Sequence, residues 1–262
     1  MVGRKKRSPR KRELLGSHQR SWVWGRNPVL EILRGRNWVP LEIVVSDELD
    51  ADTLEETSAI ADELGIALTS EPRERLTRRC QTREHQGLLA KMPPFMYLPI
   101  EEILETATQP GLFIVLDSIQ DPFNFGAVCR TACAFGADGI LLSSQNQVGV
   151  TSQVVRSSAG AVTRLKIARV DTLPAEIKSL AERNIQTVAT AADADLTIAE
   201  CDFQQPTAIV FGNEGIGLTP AVRDACSLTV RIPQSEEFDS LNAAVATGIL
   251  LYEIRRQRAS RL

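Results

Sequence analysis

Asn124 and Arg130 stand six residues apart in the string Asp121-Pro122-Phe123-Asn124-Phe125-Gly126-Ala127-Val128-Cys129-Arg130. If that string opens a helix, Asn124 can cap it and Arg130 lies nearly two turns in. A guanidinium there presents a planar fork to a phosphate; the plainer alternative is a pairing with a surface carboxylate. A second polar group, Ser240-Leu241-Asn242, follows Ile232-Pro233 and precedes an apolar run. Ser240 reads as a helix N-cap. Asn242 falls in the first turn, in a helix whose interior does not favour it. The third group is Phe211-Gly212-Asn213-Glu214-Gly215-Ile216-Gly217-Leu218.

The glycine turn follows a strand-like run and precedes Thr219-Pro220, a helix opening. It is neither Gly-x-Gly-x-x-Gly nor the Gly-Lys-Ser/Thr of a P-loop. Glu214 in its middle would repel a polyphosphate, so a neutral or cationic ligand fits better. S-adenosylmethionine, with a sulfonium, an adenine and no phosphate, is such a ligand. Taken alone, a glycine turn after a strand is often only structural. Other chemistries are poorly supplied. Cys80, Cys129, Cys133, Cys201 and Cys226 have no Cys-x-x-Cys spacing, which argues against zinc. They read as small buried hydrophobes in a reducing compartment. His18 and His85 lie far in sequence from all three strings, so a Ser-His or Cys-His nucleophile is not indicated.

The elements that must position these groups alternate from Leu112 onward. Strand-like runs are Phe113–Leu116, Gly139–Leu142, Leu165–Ala168, Thr187–Thr190, Ala208–Phe211 and Leu228–Ile232. Helix-like runs lie between most of them, which predicts an α/β fold with a mostly parallel sheet covered on both faces. Each string falls where a strand gives way to a helix, the edge at which open α/β sheets bind ligands. The last helix is expected from about Ser240 to Arg258, with its terminal arginines suited to the helix dipole. Residues 22–92 read as a separate small α/β domain. Asn27-Pro28 looks like a helix opening, Leu41 to Val45 a strand, Asp50 to Leu64 a helix closed by Gly65, and Ile66 to Thr69 and Gly87 to Lys91 strands. Residues 93–111, punctuated by Pro93-Pro94, Pro99 and Pro110-Gly111, read as a linker with a short helix around Ile100 to Ala107. Residues 112–262 form the larger domain.

A chain of 262 residues that is 43% hydrophobic can build a core. It has no run of about 18 apolar residues and no secretory signal, so no membrane partner and a cytoplasmic location are expected. Residues 1–36 hold eleven Lys or Arg against Glu13 and Glu31, while the whole chain carries −3. The basic stretch Arg4 to Arg12, within a tail of residues 1–21 expected to be disordered, suits phosphate contact or simply solvation.

Taken together and in this order, the strings resemble motifs 1, 2 and 3 of the SpoU-type (TrmH family) RNA ribose 2′-O-methyltransferases, over about residues 112 to 258. Val23-Trp24-Gly25-Arg26-Asn27-Pro28-Val29-Leu30-Glu31 and His85-Gln86-Gly87 resemble that family's ribosomal-protein-like RNA-binding domain. The pair points to the bacterial branch acting on a guanosine of 23S rRNA. The resemblance implies a deep trefoil knot of the SPOUT class in the C-terminal half. It implies S-adenosylmethionine held mainly by backbone at Gly212, Ile232 and Leu241, with Gly217 beside them, and a homodimer whose site uses both subunits. It implies catalytic roles for Arg130, Asn124, Glu214, Ser240 and Asn242. One departure stands out: Glu236 occupies a place where the family has glycine.

The implied reaction is in-line methyl transfer to a ribose 2′-oxygen, where positioning supplies much of the rate. RNA is the expected partner and DNA is not, because DNA lacks the acceptor hydroxyl. A guanidinium with a pKa above about 12 is a poor base, so Arg130 is expected to clamp a phosphate and favour a developing alkoxide. The competing readings are a tRNA ribose methylase, a non-catalytic RNA-binding or ribosome-assembly protein of the same fold, and a dehydrogenase with a distorted dinucleotide loop.

Overall fold

The computed structural model describes residues 15–17, 20–213, 215–235 and 241–259. The basic string Arg4 to Arg12, His18, Glu214, Glu236 and Ser240 lie outside them.

The first part comprises β1 (Trp22–Trp24), α1 (Arg26–Gly35), β2 (Glu42–Ser46), α2 (Ala51–Leu64), β3 (Leu68–Glu71), α3 (Arg73–Cys80) and β4 (Leu88–Lys91). Its strands form one sheet in the order β1-β4-β2-β3, with β4 antiparallel to both neighbours and β3 parallel to β2. The Asp50 side chain caps α2 by accepting from Thr53 N, and Gly65 closes it at φ 64, as the residue types require. Helix α1 differs from expectation. It opens at Arg26, not Asn27, with no side-chain cap from its flank. Arg26 N instead donates to Gln86 Oε1 at 2.8 Å, a partner sixty positions away. Buried His85 accepts from Gly87 N through Nδ1 at 3.1 Å, and burial holds its pKa below the usual imidazole value.

The proline-rich stretch runs as a strap between the two sheets. Trp38 Nε1 donates to the Pro93 and Pro94 carbonyls at 3.2 Å each. Phe95 packs edge-on between Trp38 and Tyr97, and Tyr97 Oη accepts from Val150 N at 2.9 Å. Helix α4 (Ile100–Glu105) follows.

The second part runs β5 (Leu112–Leu116), α5 (Pro122–Phe135), β6 (Gly139–Ser143), α6 (Ser152–Ser157), β7 (Ile167–Val170), α7 (Leu173–Glu182), β8 (Gln186–Thr190), β9 (Leu196–Thr197), β10 (Thr207–Phe211), α8 (Pro220–Ala225), β11 (Leu228–Arg231) and α9 (Ala243–Ala259). The seven strands lie in the order β7-β6-β5-β10-β8-β11-β9, and every pairing is parallel. Strand β5 is buried throughout. Leu112, Ile114 and Leu116 join the layer containing Val128, Cys129, Leu250 and Ile254. Phe113 and Val115 join the opposite layer with Leu173, Ile177, Leu180 and Val222. The alternation of a pleated strand thus feeds two helical layers.

Four local expectations change. Helix α5 begins at Pro122 and is capped by Asp121 through Phe123 N, so Asn124 is free of the capping role. The strand expected at Leu165–Ala168 sits at Ile167–Val170, because Ala161–Arg164 forms a 3-10 turn ahead of it. Helix α9 starts at Ala243, and Asn242 is its cap: Oδ1 accepts from Ala244 N at 3.0 Å and Val245 N at 3.3 Å. Arg258 does more than complement the helix dipole. It donates to the carbonyls of Phe203, Pro110, Gly111 and Gln205 at 2.8–3.1 Å, pinning the end of α9 to the loops before β5 and β10. Burial lowers its pKa.

Candidate functional site

Three parallel strands, β8, β10 and β11, end at one cleft of about 460 Å³. That is within the range of small-molecule sites, about 300–1,000 Å³, and at the carboxyl edge where α/β sheets bind ligands. Gly212, Gly217, Ile232 and Leu241 all line it, so the structure brings together every residue expected to hold a cofactor.

The wall from β10 is a turn folded on itself. Asn213 N donates to Gly217 O at 3.1 Å and Gly217 N to Asn213 O at 2.8 Å. A Cβ on Gly212 would fall 2.3 Å from the Gly217 carbonyl carbon, which leaves no room for a side chain, and Gly217 sits at φ +70 in open space, where a side chain would strain the backbone. Asn213 organises the turn: Oδ1 accepts from Gly215 N at 2.9 Å, while Nδ2 donates to Ser118 O at 3.0 Å. Asp117 adds a second tie, accepting from Thr219 N and Thr219 Oγ1 at 3.2 and 3.1 Å. Sequence reasoning did not single out Asn213 or Asp117. Asn213 carried a usable signal, an Asn beside glycines that favours an Asx turn. Asp117 carried only its place at a strand's end.

The cleft suits a ligand without phosphates. Its floor includes Val230, Ile232, Leu241, Ala243 and Ala246, and its charged lining residues are Asp193 and Arg223. These two pair at 2.9 Å, and the hydrogen bond from Arg223 lowers the Asp193 pKa. The described lining residues therefore leave no spare cation for a diphosphate. Burial pushes the Cys129 thiol far above its usual pKa, and no His/Cys/Asp/Glu group among the described residues could hold a metal ion.

Asn242 connects the cleft to α5. While Oδ1 caps α9, Nδ2 donates to Asn124 Oδ1 at 3.0 Å. Helices α5 and α9 pack together, so this bond joins the first and third motifs. Arg130 is exposed on α5. It makes no hydrogen bond or ion pair with the described residues, and it does not line the cleft of its own chain.

Residues 111–252 match the model of the SpoU rRNA Methylase family, and residues 22–98 match that of the RNA 2′-O ribose methyltransferase substrate binding family. An uncharacterized tRNA/rRNA methyltransferase of Mycobacterium avium is 37% identical over 260 residues, covering 98% of this chain and 84% of its own. The SpoU methyltransferase AviRb of Streptomyces viridochromogenes, solved with AdoMet, superposes with TM-score 0.77 at 27% identity, covering 91% of this chain and 90% of the other. An AdoMet-bound rRNA methyltransferase of Sinorhizobium meliloti gives TM-score 0.75 at 27% identity, covering 90% and 86%.

Proposed function

We propose that this chain, which belongs to the SpoU rRNA methylase family and is an RNA methyltransferase, methylates the 2′-hydroxyl of one guanosine in 23S rRNA, using S-adenosylmethionine. The observation that carries this is the cleft itself. Gly212, Gly217, Ile232 and Leu241 converge there, and Asn242 at its edge is bonded to Asn124 on the helix bearing Arg130.

The residues present fit S-adenosylmethionine: an apolar floor, backbone at strand ends, and no unpaired cation among the described lining residues for a phosphate. When bound, it supplies a methyl group made electrophilic by the sulfonium. Gly212, Ile232 and Leu241 would hold it, with Gly217 keeping the turn tight. The Asn124–Asn242 bond fixes α5 relative to the start of α9. Arg130 grips an RNA phosphate and favours negative charge developing on the ribose oxygen; it does not take the proton, since a guanidinium stays protonated. Glu214 and Ser240 are assigned to the loop and the ribose.

Because Arg130 stands outside the cleft of its own chain, the reading includes a homodimer in which each Arg130 serves the other subunit. Val245 and Tyr252, 51% and 61% exposed on α9 and seven residues apart on one helix face, supply an apolar surface for it. The reading also includes a trefoil knot, favoured by the insertion of β8 and β11 beyond β10 in the sheet. Residues 22–92 are taken as the RNA-gripping domain, 93–111 as the connection, 112–262 as the methyltransferase domain and 1–21 as a basic tail. Five free cysteines favour the cytoplasm, where ribosomal RNA is modified.

The match of residues 22–98 to a substrate-binding model, together with the rRNA enzyme that superposes over both parts, favours ribosomal over transfer RNA. Mapping ribose methylation across total RNA with and without the protein tests this. One 23S guanosine gaining its methyl group is the expected result. A tRNA site would move the target, and no site would overturn the reading.

A further inference from the structure

A second cavity of about 540 Å³ opens at the seam between the two sheets, and it shares no lining residue with the cleft. One wall comes from the first part: Trp24, Glu84 and Gln86. The other comes from the second: Phe123, Gln153 and Arg156. The seam is fixed rather than loose. The Arg156 guanidinium lies 3.9 Å from the centre of the Trp24 ring. Arg164 pairs with Glu31 across the seam, and a Cβ on Gly160 would fall 2.4 Å from that of Glu31. Strap contacts from Trp38 to Tyr97 hold the same orientation.

Phe123 is 60% exposed, although most large apolar side chains of this protein are buried. It precedes Asn124 directly and lies seven residues before Arg130 on α5. Residues seven apart share a helix face about 10 Å apart along the axis. A single nucleotide, from its phosphate to the far edge of its base, spans that separation. The polar groups around the ring keep donors or acceptors to spare. The Gln153 side chain has no hydrogen-bond partner among the described residues. Gln86 uses only its oxygen, on Arg26 N. The Glu84 side chain is 80% exposed and meets Arg156 only at 3.8 Å, beyond hydrogen-bond reach.

We propose that this seam pocket receives the base of the nucleotide to be methylated, and that it selects guanine. The inference rests on the RNA methylation reading above. Phe123 supplies the stacking face, since every base offers a π surface to an aromatic ring. Glu84 accepts from the N1–H and N2–H groups of guanine, two adjacent donors that no other standard base presents on its pairing edge. Arg156 donates toward O6 and N7, the acceptors arginine reads in guanine. Reading the base from a wall built by both parts makes the small N-terminal sheet a part of target choice, beyond general grip on the RNA.

The test uses the full-length protein and fluorescein-labelled pentaribonucleotides of uridine with a central guanosine, inosine or adenosine, followed by anisotropy. Wild type is expected to bind the guanosine form about tenfold more tightly than the adenosine form, a discrimination typical of one well-read base. Inosine, which lacks the N2 amino group, should fall between. Glu84→Gln should erase the preference among the three, and Phe123→Ala should weaken all three together by about tenfold. Both variants should keep wild-type affinity for S-adenosylmethionine, which shows that they fold. Equal binding of the three probes by wild type, or a preference that survives Glu84→Gln, would overturn the proposal. Base discrimination in a protein that methylates no RNA would leave the pocket standing and sink the methylation reading alone.

Discussion

Asn242 uses both ends of one amide. Its oxygen caps α9, and its nitrogen reaches Asn124 at 3.0 Å. The two roles can be separated chemically. Asn242→Asp keeps an oxygen for the cap, so its unfolding midpoint should stay near wild type, yet it loses the donor facing Asn124. Asn242→Ala loses both and should cost about 1 kcal/mol of stability, the usual cap contribution. If the bond positions α5, both variants should slow single-turnover methylation of the mapped RNA by about tenfold or more, with S-adenosylmethionine affinity little changed. An aspartate variant turning over as fast as wild type would remove Asn124–Asn242 from the positioning machinery. At the same scale, the position of Asn124 inside the first turn of α5 follows from Asp121 taking the cap one turn earlier.

Between elements, the decisive contact is α6 on the first turns of α5. A Cβ on Gly126 would fall 1.9 Å from Ser157 Oγ and 2.8 Å from Ser157 Cβ, and Ser157 Oγ donates to Pro122 O at 3.0 Å. Replacing a helical glycine with alanine ordinarily gains about 1 kcal/mol. Here the overlap opposes it, and overpacking costs about 1–3 kcal/mol. Gly126→Ala should therefore lower the urea midpoint, and adding Ser157→Gly should restore part of the loss. A stabilised single variant would contradict the packing described. This scale also marks where sequence reading succeeded. Helix α2 was legible because Asp50 and Gly65, its own flanking residues, set its ends. Helix α1 was not, because its opening N–H bonds to Gln86 across the sheet. The convergence of Gly212, Gly217, Ile232 and Leu241 on one cleft was legible because motif order survives in one dimension. Asp117 was not, because its meaning lies in a bond to Thr219, about a hundred positions on. Strand β9, two residues long, carries too little pattern to be read at all.

For the molecule as a whole, the two sheets act as one scaffold. The aromatic strap, the Arg156–Trp24 stack and the Glu31–Arg164 pair fix their relative position, while Arg258 ties the final helix back to the loops that start β5 and β10. That scaffold sets the cleft at the carboxyl edge of the larger sheet and, on a neighbouring helix, Arg130, which has no hydrogen bond or ion pair among the described residues. In the proposed function the two share the labour: the cleft binds the methyl donor, and Arg130 works on the RNA. The most direct test is Arg130→Ala measured twice, by calorimetric titration with S-adenosylmethionine and by single-turnover methyl transfer to the mapped RNA. The expected result is wild-type cofactor affinity with methyl transfer reduced by at least about a hundredfold. Transfer within a few-fold of wild type would contradict it.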